Sequence, residues 1–340
     1  MHFLDKREAL VFVRERAHLF DTSPNPFAKS AWLLHFIEQI VEPGWKVIAA
    51  EAADGGSAML LYSTPKAPQT RAALTNYYAS LYTPVVGHGD ATPLVEQLTR
   101  DRPRCATIDF SPLDAEAPQT AALERSLNGA GWYVRRYLCF GNWYQPAMPF
   151  EAYLAARESK LRHTLERKGR KFPGELRIVT EPGEVAAAMD GYDAVYAKSW
   201  KRPEPYPDFV RGWARICAAH GWLRLGIATV DGKAIAAQFW FTVDGKAYIF
   251  KLAYDEEHAK LSAGSLLTAK LMRHVLEVDR VGEVDYLTGD DPYKAAWMSH
   301  RRQRIGLVAC NPRTLAGLAR AAFERAGELR QRLKARAVTA

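Results

Sequence analysis

Residues 222–265 read WLRLGIATVDGKAIAAQFWFTVDGKAYIFKLAYDEEHAKLSAGS, and this stretch decides the fold. Leu223–Val230 and residues 234–243 are β-rich runs parted by Asp231-Gly232-Lys233, and residues 247–254 follow Asp244-Gly245-Lys246. An Asp-Gly pair between apolar runs favours a tight hairpin turn, so the spacing predicts an antiparallel meander. The polar segment Glu256-Glu257-His258-Ala259-Lys260-Leu261-Ser262-Ala263-Gly264-Ser265 then opens into an amphipathic helix over 264–279. Its apolar face is Leu267, Leu271, Val275 and Val278, with Lys270, Arg273, His274 and Glu277 turned elsewhere. Residues 283–287 read as a fourth strand. A short polar loop entering a helix offers backbone N–H groups to an anion.

Upstream, residues 176–180 predict a strand, and 184–199 and 208–220 predict helices. Val185, Ala188, Met189, Tyr192, Val195 and Tyr196 share one helical face. Downstream lie a short helix at 292–299 and a strand at 304–310. The first half is mixed α/β, with strands expected at 45–52, 58–63, 72–82, 105–110 and 133–144 and helices at 32–40, 93–98 and 121–127. Between them Gly87-His88-Gly89-Asp90 is either a phosphate-binding loop or an ordinary Gly-rich turn. Residues 150–172 predict a basic helical segment. Tyr153, Leu154, Leu161 and Leu165 form its stripe, and Lys160, Arg162, Arg167, Lys168, Arg170 and Lys171 surround it. It reads as a solvated linker helix or as a face for a phosphate-bearing substrate or RNA. Pro173-Gly174 closes it.

A chain of 340 residues points to two domains at a prior of roughly 150 residues each. With 48% hydrophobic and 25% charged residues the composition is that of a globular protein, and no apolar run approaches the about 20 residues of a membrane span. The start, Met1 to Glu8, carries both signs of charge and lacks a signal-peptide core, so a cytoplasmic location is expected. Cys105, Cys139, Cys217 and Cys310 are scattered without a C-x-x-C pair, which indicates neither a zinc site nor a disulfide framework. Residues 311–340 hold seven Arg or Lys and two Glu, +5 of the net +8, so the remainder is nearly balanced and no broad DNA-binding groove is expected. In that tail Leu315, Leu318, Phe323, Leu329 and Leu333 lie on one side among arginines. The tail either docks on its own domain or rests peripherally on an anionic inner-membrane surface.

The order strand, helix, helix, three antiparallel strands, loop, helix, strand, helix, strand across 176–310 resembles the GNAT acyltransferase fold. Several strings narrow this: Ser199-Trp200-Lys201, Gly221-Trp222-Leu223-Arg224-Leu225, Asp231-Gly232-Lys233-Ala234-Ile235-Ala236-Ala237-Gln238, Ala253-Tyr254-Asp255-Glu256, and Gly289-Asp290-Asp291-Pro292-Tyr293-Lys294-Ala295-Ala296-Trp297. With Asn25-Pro26-Phe27, Trp32 and Ser159-Lys160-Leu161-Arg162-His163-Thr164-Leu165, they resemble the CelD-type acetyltransferases, relatives of the Fem peptidoglycan aminoacyltransferases. The resemblance implies an α/β (α+β mixed) chain of two tandem GNAT-like domains, each a mostly antiparallel sheet flanked by helices. Their expected bounds are 1–150 and 174–310, joined by a basic linker helix at 151–173 and followed by a basic amphipathic helix at 311–340. One departure is plain. The usual pyrophosphate pattern Q/R-x-x-G-x-G/A, ended on Gly264, finds Ala259 first and Ser262 fourth.

The same resemblance implies the chemistry. Backbone N–H groups of Ser262, Ala263, Gly264 and Ser265, aided by Lys260, would cradle the pyrophosphate of acyl-CoA, acetyl-CoA above others; alternatively Ser262 simply caps a core helix. The thioester would lie against backbone near Leu252 and Ala253, where an N–H polarises its carbonyl. Tyr293 would be the general acid for the departing thiolate, or an aromatic packed beside Trp297. Glu204 is the candidate base, with Asp255, Glu256, Asp285 and Asp290 as rivals. Trp200, Lys201, Asp290, Lys294 and Trp297 are candidate acceptor-binding residues, Lys294 for an acceptor phosphate or carboxylate. No metal is implied. The expected activity is N-acyl transfer to an amine on a sugar or an envelope or exopolysaccharide precursor. Fem-like transfer from aminoacyl-tRNA and a non-catalytic scaffold in polysaccharide assembly are the alternatives.

Overall fold

A computed structural model describes residues 1–87, 90–100 and 104–339, with side chains described as far as 328 except at 86 and 87. His88 and Gly89 of the Gly-rich loop therefore lie outside the described residues. The chain forms two compact units, residues 1–140 with 303–340 and residues 141–302.

The first unit opens with β1 (His2–Leu4), α1 (Lys6–Glu15), α2 (Ala17–Phe20) and α3 (Ser30–Ile40), followed by β2 (Lys46–Glu51), β3 (Ser57–Ser63), β4 (Thr70–Ala73) and β5 (Val86–Gly87). Next come α4 (Thr92–Arg100), β6 (Thr107–Asp114), α5 (Pro118–Gly129) and β7 (Tyr133–Pro146), inside which the chain enters the second unit. That unit continues through α6 (Phe150–Ala155), α7 (Ser159–Arg170), β8 (Glu175–Val179), α8 (Val185–Ala197), α9 (Pro207–Ala219), β9 (Leu223–Val230), β10 (Lys233–Val243) and β11 (Lys246–Tyr254). It closes with α10 (Ala263–Glu277), β12 (Glu283–Asp285) and α11 (Pro292–Ala295). Within β13 (His300–Cys310) the chain returns to the first unit, which ends in α12 (Leu315–Thr339).

Each unit repeats one plan. In the first, β1, β2, β3 and β4 pair antiparallel in turn, β4 pairs parallel with β6, and β6 pairs antiparallel with β13. In the second, β8, β9, β10 and β11 pair antiparallel, β11 pairs parallel with β12, and β12 pairs antiparallel with the end of β7. The compact units divide at 140 and 302, whereas the sequence reading places domain bounds at 150 and 310. Residues 144–146 belong to the β12 ladder, and residues 304–310 belong to the β6 ladder.

The turns explain the meander. Asp231 and Gly232 both take positive φ (49° and 73°), as do Asp244 and Gly245 (48° and 71°), the geometry of a two-residue turn matched to strand twist. Trp240, Ile249, Leu267, Leu271, Val275 and Val284 then meet in one core. Gly226 lets α10 lie directly on β9, since a Cβ there would stand 2.8 Å from Leu271 Cδ1 and 3.0 Å from Leu267 Cδ1. Val278, expected on this buried face, falls past the last turn of α10 and is exposed.

Other expectations shift. The run 72–82 is a strand only to Ala73, because the Asn76 side chain accepts the Tyr78 N–H (2.9 Å) and its carbonyl accepts that of Ala79 (3.0 Å), which folds a turn. The segment 150–172 is two helices broken at residues 156–158. It is no free linker, since Phe150, Tyr153 and Leu165 enter the core of the second unit. The tail docks on the first unit through Ala321 and through Glu324, which pairs with Arg135 and Arg320.

Candidate active site

Strands β11 and β12 part company almost at once. Only Lys246, Ala247 and Tyr248 find partners, in Glu283, Val284 and Asp285. Among the described residues no strand pairs with residues 249–254 of β11 on that side, although β10 pairs on the other. The cause is local: the Asp285 carboxylate accepts the Leu287 N–H (2.7 Å), and Leu287 takes φ of 53°, which turns the chain out of the sheet. A bulge at Phe250, where the β10 register steps from Lys251 to Ile249, bends β11 at the same level. Leu252 and Ala253 lie beyond this bulge, along the open edge.

Helix α10 begins beside that edge. A 3-10 segment, Glu256–Leu261, is capped by Asp255, whose side chain accepts the Glu257 N–H (3.0 Å). Ser262 follows with φ of 57° and gives no side-chain cap to α10, so the capping role open to it is not taken. The first intrahelical bond runs from the Leu266 N–H to the Ser262 carbonyl (3.1 Å), so the N–H groups of Ala263, Gly264 and Ser265 lead the helix. An anion there gains about 0.3–1 kcal/mol from the helix dipole, and up to ~2 where partly buried. Buried Gln238 of β10 fixes this turn, donating to the Gly264 carbonyl (2.8 Å) and Thr268 Oγ1 (2.7 Å) while accepting from Trp240 Nε1 (2.9 Å). A Cβ on Gly264 would meet Tyr254 at an ordinary 3.7 Å, so protein packing does not demand glycine at that position. Lys260 is exposed, and its carbonyl accepts from Lys168 Nζ of the basic helix α7 (2.5 Å).

Beside β11 lies a cluster of lysines. Glu204 pairs with Lys251 Nζ at 2.7 Å. Lys201, half-buried, holds its ammonium 5.8 Å from the Tyr196 ring centre and 5.7 Å from that of Trp200, which packs on Tyr254. Burial, reinforced by Lys251 nearby, pushes the Lys201 ammonium down to about 8. Burial also lowers Lys251, against the opposing pull of Glu204. Deeper in, burial and the Glu204 carboxylate raise the Tyr192 phenol well above its ordinary value.

The loop after β12 completes the arrangement. Tyr293, partly exposed, brings its hydroxyl onto that of Tyr286, and desolvation there raises the Tyr293 phenol. It therefore holds its proton at neutral pH, the state a proton donor needs. Lys294 is buried and donates to the carbonyls of Tyr286 (3.3 Å), Thr288 (2.5 Å) and Gly289 (3.3 Å), so its ammonium holds this loop in shape rather than facing an acceptor. Asp290 is engaged by Arg301 through both carboxylate oxygens (2.8 and 2.5 Å) and by Trp143 Nε1 (2.9 Å). Trp297, expected at the acceptor surface, is 3% exposed and packed in the core, and its carbonyl accepts from Tyr153. Its apolar ring is better accommodated there than in water.

Of the rival carboxylates, Asp255 is buried as a cap and pairs with Lys198 (3.4 Å), and Asp285 sits against Arg302 (2.5 Å). Glu204 is paired with Lys251, near Lys201. Lys251 and Tyr286 are not singled out by the sequence, and Gln238 and Tyr192 enter there only in a motif string and on a helix face. A lysine inside the run Ala247 to Tyr254 was the visible signal for the first, since strand interiors seldom carry a charge without a partner.

Comparison with known proteins agrees with this geometry. Residues 159–295 match the family model for the acetyltransferase (GNAT) domain. Comparison with curated proteins returns no match. Among solved structures, the C-terminal domain of a putative lysylphosphatidylglycerol synthetase from Agrobacterium fabrum is 16% identical with a TM-score of 0.59, covering 91% of this chain and 95% of that one. FemX is 11% identical with a TM-score of 0.61 over 91% and 96%. A conserved protein of unknown function from Bacteroides thetaiotaomicron is 12% identical with a TM-score of 0.61 over 89% and 97%. At these identities the likeness is one of fold. Residues 159–295 thus carry an acetyltransferase (GNAT) domain, which makes this part of the chain that of an acyltransferase, and the solved structures extend the likeness of fold over the rest.

Proposed function

We propose that the protein moves an acyl group, acetyl above others, from acyl-CoA to an amine on a sugar or on an envelope or exopolysaccharide precursor, as the CelD-type resemblance implies. The parting of β11 from β12 beside the α10 N-terminus carries this reading, because it leaves an open strand edge next to leading N–H groups. In this reading the pyrophosphate lies over residues 262–265 with Lys260, and the thioester runs along Leu252 and Ala253. The acceptor enters from the side of Trp200, Lys201 and Glu204. Glu204 takes the amine proton, the nitrogen attacks the thioester carbon, and a backbone N–H near Ala253 stabilises the oxyanion. The C–S bond breaks as the C–N bond forms, and Tyr293 protonates the thiolate.

The test is thiol release from acetyl-CoA with a panel of amino sugars and amino-sugar nucleotides, with mass spectrometry of the product. Release that rises with one acceptor class and yields an amide supports the reading, and an ester product or no release across the panel counts against it. One observation favours a second reading. Basic helix α7 reaches the loop before α10 through Lys168, which would equally suit the backbone of an aminoacyl-tRNA, and the same assay with aminoacyl-tRNA as donor separates the two.

A further inference from the structure

Lys201, Lys251 and Lys294 lie within electrostatic reach of one another. Lys251 is matched by Glu204, and Lys294 by Asp291 at 3.7 Å together with three carbonyls. Among the described residues, Lys201 has no carboxylate within ion-pairing distance. Its ammonium is half-buried, faces two aromatic rings, and stands in the field of Lys251 and Lys294, opposed by Glu204 and Asp291, each of which is ion-paired to one of those two lysines. Such a charge is costly until an anion reaches it. A second feature of the same wall is incomplete. Tyr192, one helical turn before Tyr196, is fully buried with its hydroxyl lacking any hydrogen-bond partner.

We infer that Lys201 is an oxyanion subsite on the acceptor side, so that the amine acceptor carries a phosphate or carboxylate held by this ammonium between the Tyr196 and Trp200 rings. The inference rests on the transferase reading above, since it assigns the acceptor to this side of β11. Glu204 and Lys251 already neutralise each other, which keeps the carboxylate from repelling such a ligand. Trp200, half-exposed over Tyr254, supplies an apolar wall for the carbon skeleton.

Calorimetric titration of the full chain with O-phosphoethanolamine, β-alanine and ethanolamine tests it, alongside Lys201→Met and Lys201→Arg. One charge-assisted contact predicts that the phosphate or the carboxylate amine binds at least about tenfold more tightly than ethanolamine. The preference should vanish in Lys201→Met and survive in Lys201→Arg, and whichever anionic amine is preferred identifies the group. Equal binding of all three, no binding of any, or a preference that persists in Lys201→Met overturns the subsite. A parallel unfolding measurement with acetyl-CoA separates the two claims: loss of the acetyl-CoA effect in the wild type counts against the transferase reading, whatever the amines do.

Helix α12 carries an independent inference. It docks through Ala321 and Glu324, and its outer face leaves Leu315, Leu318 and Phe323 at 89%, 54% and 69% exposure, with Ala319, Ala322 and Ala326 also exposed. This is the reverse of a helix that buries its apolar side. The segment 311–340 has a net charge of +5, which complements an anionic bilayer, and we propose that this face rests on one. Vesicles of phosphatidylcholine with and without phosphatidylglycerol test this with the full chain and the Leu315→Ser/Phe323→Ser variant. Binding confined to anionic vesicles and weakened about tenfold or more by the variant is expected. Equal binding to neutral vesicles, an unaffected variant, no vesicle binding, or self-association that the variant abolishes overturns it.

Discussion

The carboxylate of Glu204 lies 2.7 Å from the ammonium of Lys251, with the two side chains only 9% and 15% exposed. One residue comes from the loop before α9 and the other from the open edge of β11, so this pair ties the acceptor side to the strand that would carry the thioester. A buried ion pair contributes little net stability but is costly to break from one side.

Glu204→Gln should therefore lower unfolding free energy by about 3–5 kcal/mol, because Lys251 loses its countercharge. The double variant Glu204→Gln/Lys251→Met should recover most of that loss in urea unfolding. Acyl transfer should fall by roughly 10²–10⁴-fold in both, since restored packing does not restore a base. Recovery of activity in the double variant would remove Glu204 from the mechanism.

Gln238→Leu removes both bonds that hold the first turn of α10 and leaves Trp240 Nε1 without its acceptor. The expected cost is about 1–3 kcal/mol in thermal or urea unfolding, together with weaker acyl-CoA binding. Full stability with weak binding would mean that the helix start is held by other contacts.

Lys201 gives a pH dependence of defined sign. Its ammonium is lowered from 10.5 to about 8 in the folded chain. Between those values the unfolded chain keeps a proton that the folded chain has released, so stability rises with pH across the window. Lys251 and Lys294 are shifted the same way and add slopes of the same sign. Urea unfolding of wild type and Lys201→Met through this range should show the shallower slope in the variant. An identical slope would contradict the buried-charge account.

Tyr293→Phe should reduce turnover by roughly 10²–10⁴-fold with KM little changed, because proton delivery to the thiolate matters only in the transition state. A pure rise in KM would reassign Tyr293 to binding.

Much of this fold was legible because its signals are local. Asp231-Gly232 and Asp244-Gly245 dictate their turns by backbone geometry, and the Leu267, Leu271 and Val275 periodicity dictates the buried face of α10. Long-range relations were not legible. Nothing near Tyr144 or Leu307 announces that each pairs with a strand far away in the chain, which is why the compact units divide at other residues than the expected domains do. The site divides in the same way. Trp200, Lys201 and Glu204, named from a motif string and the loop after it, lie near one another beside Lys251. Trp297 went to the core and Lys294 to the loop carbonyls, because burial and backbone satisfaction decide those positions and neither is written in a short string. The partner of Glu204 required knowing which face of β11 looks toward residue 204.

The proposed acyl-CoA site lies between the open edge of β11 and the start of α10. Thermal unfolding of the full chain against acetyl-CoA tests it most directly. Stability should rise as RT ln(1 + [L]/Kd), about 2.7 kcal/mol at 100 times Kd, and Gln238→Leu should displace the curve to higher ligand concentration. No stabilisation at millimolar acetyl-CoA or longer acyl-CoA would contradict it.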